Sequence, residues 1–146
     1  MRVFFDTSSL IKLYHREADT AELELIFSTI KITTIFLSEI SKIEFASAIW
    51  KKVRTNDISE LDAKETLNLF EFDFGKYTFV ATDSIIIEQA RNLTSKYGLQ
   101  GLRTLDSIQL STSLSLSRQV DVFFTADKLL KSLFATEGLP IEMPSR

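Results

Sequence analysis

Residues 3–11 read Val3-Phe4-Phe5-Asp6-Thr7-Ser8-Ser9-Leu10-Ile11, a short apolar strand that ends in an aspartate and continues into hydroxyl residues suited to a helix N-terminus. The same change from an apolar run to an acid recurs at Val122-Phe123-Phe124-Thr125-Ala126-Asp127. In parallel sheets with helices between the strands, ligands bind at the carboxyl ends of the strands. Both aspartates therefore stand where such a fold would place a functional site.

Short apolar runs alternate with amphipathic stretches along the chain, and this pattern predicts an α/β fold. We expect a single domain over residues 1–146, with a mostly parallel central sheet of about four to five strands and helices on both faces. The predicted strands are 2–5, 32–35, 122–125 and an edge strand at 140–143. The predicted helices are 10–14, 19–30, a helix after Ser38, 59–72, 84–97, 104–117 and 127–136.

Several helix ends can also be predicted. Ser38 and Thr104 are expected to cap the helices that follow them, and Asp19 and Glu22 have the spacing of a capping box. Gly98 suits a left-handed residue at a helix C-terminus.

The composition is that of one globular domain. At 146 residues with 45% hydrophobic content, the chain can bury a core without disulfides. It contains no cysteine, which excludes a disulfide framework, a thiolate zinc site and a cysteine nucleophile. Residues 1–6 show neither a signal-peptide nor a membrane-span pattern, so we expect a cytoplasmic protein. The net charge of −3 does not exclude a nucleic-acid partner, because acids neutralised by metal ions would leave a nearly balanced surface.

Four acids occupy positions where the local pattern predicts burial or half-burial: Asp6, Glu44, Asp106 and Asp127. A carboxylate taken out of water is costly unless it is paired or binds a metal, and converging carboxylates repel one another. A divalent cation is the simplest remedy for both costs. Because the chain offers oxygen ligands, one histidine and no cysteine, Mg²⁺ or Mn²⁺ is favoured over zinc.

The helix after Ser38 has an apolar stripe and a basic end. The stripe is predicted to consist of Ile40, Ile43, Ala46, Ile49, Trp50 and Val53. Glu44 falls just outside it, so its carboxylate can reach from the edge of the packed face toward a cleft. The basic residues are Lys51, Lys52 and Arg54. We interpret them as complements to the helix dipole rather than as phosphate contacts.

Each acid also has a simpler explanation when it is taken alone. Asp6 and Asp127 are suitable N-caps, and Asp106 suits the first turn of a helix because of the helix dipole. Glu44 would be a solvated residue beside its stripe. These explanations do not account for the common order in which the acids appear.

The acids lie within four segments, 3–11 (VFFDTSSLI), 38–48 (SEISKIEFASA), 102–110 (LRTLDSIQL) and 124–130 (FTADKLL). In order and separation, these segments resemble the motifs of the PIN domain over essentially the whole chain. Within that family they look like the VapC-like toxin ribonucleases of bacterial and archaeal toxin-antitoxin pairs. One departure is Gln109, which stands where the third motif commonly continues with His.

The resemblance implies an Mg²⁺- or Mn²⁺-dependent ribonuclease that hydrolyses phosphodiester bonds. Asp6 and Asp106 would be direct metal ligands. Glu44 would be a ligand or would orient a metal-bound water, and Asp127 would be a second ligand or a water-mediated contact. Three hydroxyl residues are candidates for hydrogen bonds that hold these ligands in place: Thr7, Ser8 and Thr125.

The implied partners are an RNA substrate, a second copy of the chain and a VapB-like antitoxin, with no membrane. The antitoxin would place an Arg or Lys among the four acids. Two other classes of function remain, a housekeeping PIN-domain nuclease in RNA processing and a non-catalytic PIN-like module that binds RNA or protein. A phospho-acceptor domain is disfavoured, because it would need a second aspartate where Ser8 stands.

Overall fold

The computed structural model describes residues 1–15 and 20–142. Within them, four parallel strands form one sheet in the order β3-β2-β1-β4, with bounds β1 Arg2–Phe5, β2 Thr34–Ser38, β3 Thr78–Val80 and β4 Val122–Phe124. The helices are α1 Thr7–Tyr14, α2 Thr20–Thr29, α3 Ser41–Arg54, α4 Glu60–Phe72, α5 Ser84–Tyr97, α6 Thr104–Ser115 and α7 Lys128–Thr136. Short 3₁₀ turns follow α4 and α5.

Helices cover both faces of the sheet, as predicted. Successive side chains of a strand point to opposite faces, and β1 shows this directly. Phe4 packs with residues of α5, α6 and α7, whereas Val3 and Phe5 pack with residues of α1, α3 and α4. The central strand is therefore buried on both sides, and the α/β prediction is confirmed.

The register brings two predicted site segments together at one edge of the sheet. Phe5 pairs with Phe124, the last residue of β4, and the backbone N–H of Asp6 donates to the carbonyl of Phe124 at 3.2 Å. Thr125 follows immediately. The chain segments that leave β1 and β4 therefore start side by side.

Three of the predicted helix ends need correction. Ser38 is the buried last residue of β2, and the N-cap position of α3 is Ile40, two residues later. Thr104 is the first residue of α6 rather than its cap. Gly98 is right-handed at φ −59°, because a 3₁₀ turn extends α5 and moves the left-handed position to Gly101 at φ 98°. The predicted cap at Asp19 lies outside the described residues.

The strand predictions need two corrections. The sequence did not predict β3, which holds only three residues in an aromatic segment. The edge strand predicted at 140–143 is wrong for its described part, because residues 140–142 form no strand. Pro140 has no N–H to donate to a ladder, and its carbonyl accepts a single bond from Phe123.

Candidate active site

The four acids singled out from the sequence line one cavity of about 220 Å³, together with Thr7, Ser8, Ile11, Ala48 and Gln109. They reach it from different elements. Asp6 and Asp127 are the N-caps of α1 and α7, Glu44 lies in the first turn of α3, and Asp106 lies in the first turn of α6. The structure therefore brings together all four predicted positions.

Asp6 is held by more contacts than a cap requires. Its Oδ1 accepts from the backbone N–H of Ser9 at 3.0 Å, which is the capping bond. The hydroxyl of Ser8 lies 2.8 Å from both carboxylate oxygens, and the hydroxyl of Thr125 donates to Oδ2 at 2.5 Å. Asp6 is only 3% exposed, and this burial raises the pKa of its carboxyl to about 6, although the hydrogen bonds oppose the shift.

The hydroxyls of Ser8 and Thr125 also connect Asp6 to the segment that carries Asp127. Ser8 Oγ accepts from the backbone N–H of Ala126 at 2.9 Å, and Thr125 Oγ1 accepts from the backbone N–H of Asp127 at 3.1 Å. Two of the predicted supporting hydroxyls thus contact an acid of the site and fix the loop before α7.

Asp106 is the acid without support. It is half-buried, and its carboxylate has no hydrogen-bond partner in the described part of the chain. Burial raises the pKa of this carboxyl, and the negative charges of Asp127 and Glu44 raise it further against the opposing charge of Arg103. The cavity therefore concentrates negative charge that Arg103 only partly offsets.

Glu44 is anchored through one oxygen. Its Oε1 accepts from Gln109 Nε2 at 2.8 Å and from the hydroxyl of Thr7 at 3.0 Å. The hydroxyls of Thr7 and Ser41 lie 3.0 Å apart, and Gln109 Nε2 is 3.2 Å from each. Thr7 was predicted from the sequence as a supporting residue, whereas Ser41 was not. Gln109 was noted only as a departure from the third motif, and that position was the signal for it.

The stripe predicted for α3 is partly wrong. Ile43 is 73% exposed, and the buried residues of the helix are Ser41, Phe45 and Ile49. These are spaced by four residues and share one face. Phe45 determines this orientation, because it packs into an aromatic cluster on that side of the sheet. Glu44 consequently lies between the buried face and an exposed isoleucine.

The PIN domain family model matches residues 3–133, which include all four acids. The chain belongs to the PIN domain family. No curated protein sequence matches it.

Solved structures share the PIN fold over nearly their whole length. The sarcin-ricin-loop-cleaving toxin VapC20 of Mycobacterium tuberculosis has a TM-score of 0.71 at 12% identity, covering 97% of this chain and 99% of that one. A toxin-antitoxin complex from Klebsiella pneumoniae gives 0.64 at 18% identity, covering 99% and 98%. VapBC2 from Rickettsia felis, bound to a promoter DNA fragment, gives 0.63 at 14% identity, covering 97% and 98%.

The cavity of this PIN domain continues into a groove of about 320 Å³ along α3. The two share Glu44 and Ala48, and the far part of the groove is lined by Lys51 and Arg54. Its apolar lining includes Ile43 and Leu105, of which Leu105 is 49% exposed. Two cationic side chains therefore line a groove that begins at the carboxylates.

The donor chemistry of this PIN domain suits a hard cation, although the side chains are not drawn together. Within residues 1–15 and 20–142, no three acidic or histidine side chains are grouped so that they could hold a metal ion. Among the residues that the structure describes, hydrogen bonds engage only one oxygen each of Glu44 and Asp127 and neither oxygen of Asp106. Free carboxylate oxygens around one cavity are the ligands that Mg²⁺ and Mn²⁺ prefer.

Proposed function

We propose that this PIN domain is a metal-dependent endoribonuclease of the VapC-like toxin class. The observation that supports it most is Asp106, a half-buried carboxylate that has no hydrogen bond within residues 1–15 and 20–142. Its pKa is raised by burial and by Asp127 and Glu44. A purely structural acid would have acquired a partner or lost its burial. A divalent cation bound in the cavity would offset two of these three negative charges.

Mg²⁺ or Mn²⁺ in this cavity would activate water for in-line attack on a phosphodiester and offset charge on the leaving oxygen. Asp6 and Asp106 would hold the ion directly. Glu44 would be a ligand or would orient the attacking water, and Asp127 would be a second ligand or a water-mediated contact. Because no three acids are grouped in the described residues, side-chain rotations would have to accompany binding.

The hydroxyls around Asp6 have a defined part in this proposal. Ser8 and Thr125 both donate to its carboxylate, so they favour the ionised form and restrict its rotation. The carboxylate would thus be presented in one orientation before the ion arrives.

RNA is the proposed substrate because the groove beside the cavity combines cations with open access. Lys51 and Arg54 line it, and both stand on the helix that carries Glu44. A backbone phosphate next to the scissile bond could pair with them while the scissile phosphate lies over the carboxylates. This interpretation replaces the dipole-only explanation of the basic end of α3. We place the reaction in the cytoplasm, and within residues 1–15 and 20–142 every helix is too short or too polar to traverse a lipid bilayer.

The decisive experiment uses a circular RNA, which has no ends and is opened only by an endonuclease. The purified protein is expected to open it in Mg²⁺ or Mn²⁺, to stop when EDTA is added and to resume when excess metal is restored. Mn²⁺ should also raise the melting temperature, because the ion binds the folded form. A melting temperature unmoved by Mn²⁺, together with cleavage that persists in EDTA, would contradict the metal site.

We further propose that a VapB-like antitoxin inhibits the enzyme. Structures with this fold include toxin-antitoxin complexes. The groove is apolar at Ile43 and Leu105 and ends at the carboxylates, so it suits an antitoxin segment with a hydrophobic face and an Arg. A guanidinium can pair with carboxylates in a bidentate manner and would occupy the place of the metal charge. Inhibition and metal release would therefore occur together. We also propose that the toxin is a homodimer.

Expression in cells provides the test of this partner. The chain alone is expected to arrest growth, Asp106→Asn is expected to be harmless, and co-expression of the small protein encoded beside it should restore growth. Purified alone, the protein should elute as a dimer. An active enzyme that is harmless when overproduced and elutes as a monomer would instead indicate a housekeeping nuclease. A non-catalytic module is disfavoured because all four acids line the same cavity.

A further inference from the structure

We propose that Gln109 is a positioning residue that fixes the Glu44 carboxylate for metal binding, an inference that rests on the proposed nuclease function. Gln109 is 2% exposed and lies three residues after Asp106 on α6, so the two side chains share a helix face. Its amide bridges to Glu44 on α3 at 2.8 Å. It therefore sets the position of one acid relative to another across two helices.

The directions of the hydrogen bonds support this role. Glu44 Oε1 can only accept when the carboxylate is ionised, so both Gln109 Nε2 and Thr7 Oγ1 donate to it. The hydroxyl proton of Thr7 is then used, and Ser41 must be the donor in the Thr7–Ser41 pair. Two donors of the network, the Thr7 hydroxyl and one N–H of Gln109, thus point toward Glu44 Oε1, and they stabilise a negative charge at that oxygen.

A second observation is the other end of the amide. Gln109 Oε1 is buried and has no hydrogen-bond partner in the described part of the chain. Rotating the amide would let this oxygen accept from the Ser41 hydroxyl but would place it against Glu44 Oε1, which is repulsive. The unsatisfied oxygen is therefore the cost of donating to Glu44, and an apolar residue would avoid that cost if packing were the only requirement.

The network also determines which oxygen of Glu44 remains for a ligand. Oε1 is occupied by Gln109 and Thr7, whereas Oε2 has no hydrogen bond in the residues that the structure describes. Glu44 lines the cavity with Asp106 and Asp127. Gln109 would therefore reduce the side-chain movement needed to bring Glu44 Oε2 to the ion or to its water.

The test compares two variants. Gln109→Leu removes the donor, and Gln109→His provides a ring N–H as a donor at the same position. Gln109→Leu is expected to need about 10-fold more Mn²⁺ for half of the maximal rise in melting temperature and to lose about 10- to 100-fold in kcat, with the KM for RNA unchanged. Gln109→His should recover most of both losses. Ser111→Ala is the control, because Ser111 is buried on the same helix but bonds to α5 instead.

The outcomes separate this inference from the proposed function. A wild-type protein that neither binds Mn²⁺ nor cuts RNA refutes the function and the inference with it. If the wild type does both and Gln109→Leu matches it in Mn²⁺ response and kcat, the function stands and the positioning role is wrong. Should Gln109→Leu fail to fold, Gln109→Met replaces it, because Met keeps the length of the side chain and lacks the donor to Glu44. An unchanged Mn²⁺ response and kcat in that variant would overturn the role.

Discussion

Asp106→Asn is expected to slow RNA hydrolysis by about 10³-fold, equivalent to about 4 kcal/mol in the transition state, and at the same time to raise the melting temperature of the metal-free protein. The loss of activity is expected because the substitution removes a charged group that we propose to be a metal ligand. The gain in stability follows because the carboxyl is half-buried, has no hydrogen bond to lose in the described residues and lies in the field of Asp127 and Glu44. An amide of nearly the same shape removes that repulsion.

The two effects have opposite signs, which makes the prediction difficult to satisfy by accident. Initial rates of RNA cleavage and melting curves by circular dichroism, each with EDTA and with Mn²⁺, measure them. In Mn²⁺ the wild type should have the higher melting temperature, because only the wild type is expected to be fully stabilised by the ion.

Asp62→Asn is a matched control for Asp106→Asn. Asp62 is the third residue of α4, as Asp106 is the third residue of α6, and its side chain is exposed. Both substitutions therefore remove the same favourable interaction with a helix dipole. Asp62→Asn should keep full activity and should not stabilise the protein. If Asp106→Asn cuts RNA as fast as the wild type, the chemistry lies elsewhere, and a lower melting temperature without metal would mean that its charge was already compensated.

The sequence could predict the acids of the strand ends because local patterns position them. Asp6 and Asp127 follow apolar runs directly, and parallel strands bring their carboxyl ends to one edge. The hydroxyls of Ser8 and Thr125 are close to these acids in sequence, so the same reasoning could predict that they support the acids.

The surroundings of Glu44 could not be predicted, because they depend on packing between distant segments. Phe45, not Ile43, turns toward the core, since the aromatic partners that receive it come from α1 and α4. Gln109 is 65 positions away from Glu44 in sequence, and only the approach of α6 to α3 joins them. Helical periodicity predicts that a helix buries one face. Which residue lies at the centre of that face depends on the element against which the helix packs.

The free energy of unfolding of the metal-free protein is expected to fall as the pH rises from about 4 to about 6, and Asp6 is the principal expected cause. The folded-state pKa of Asp6 is about 6, above its ordinary value of 3.8. Between these values the folded state retains a proton that the unfolded state has released, so each increase in pH favours unfolding. At pH 7 the ionised, buried carboxylate costs the folded protein on the order of 3 kcal/mol.

Asp6→Asn should remove this pH dependence. The free energies of unfolding of the variant and the wild type should differ by a fixed amount below about pH 4, and this difference should change by up to about 3 kcal/mol near pH 7. Urea unfolding in metal-free buffer measures the difference at each pH. Asp83→Asn is the matched control, because Asp83 caps α5 with the same type of bond but is exposed. Parallel curves for wild type and Asp6→Asn would show that burial does not perturb Asp6. Because a cation can replace the proton, Mn²⁺ should reverse the slope for the wild type alone, which links the stability of this carboxylate to the ion it is proposed to hold.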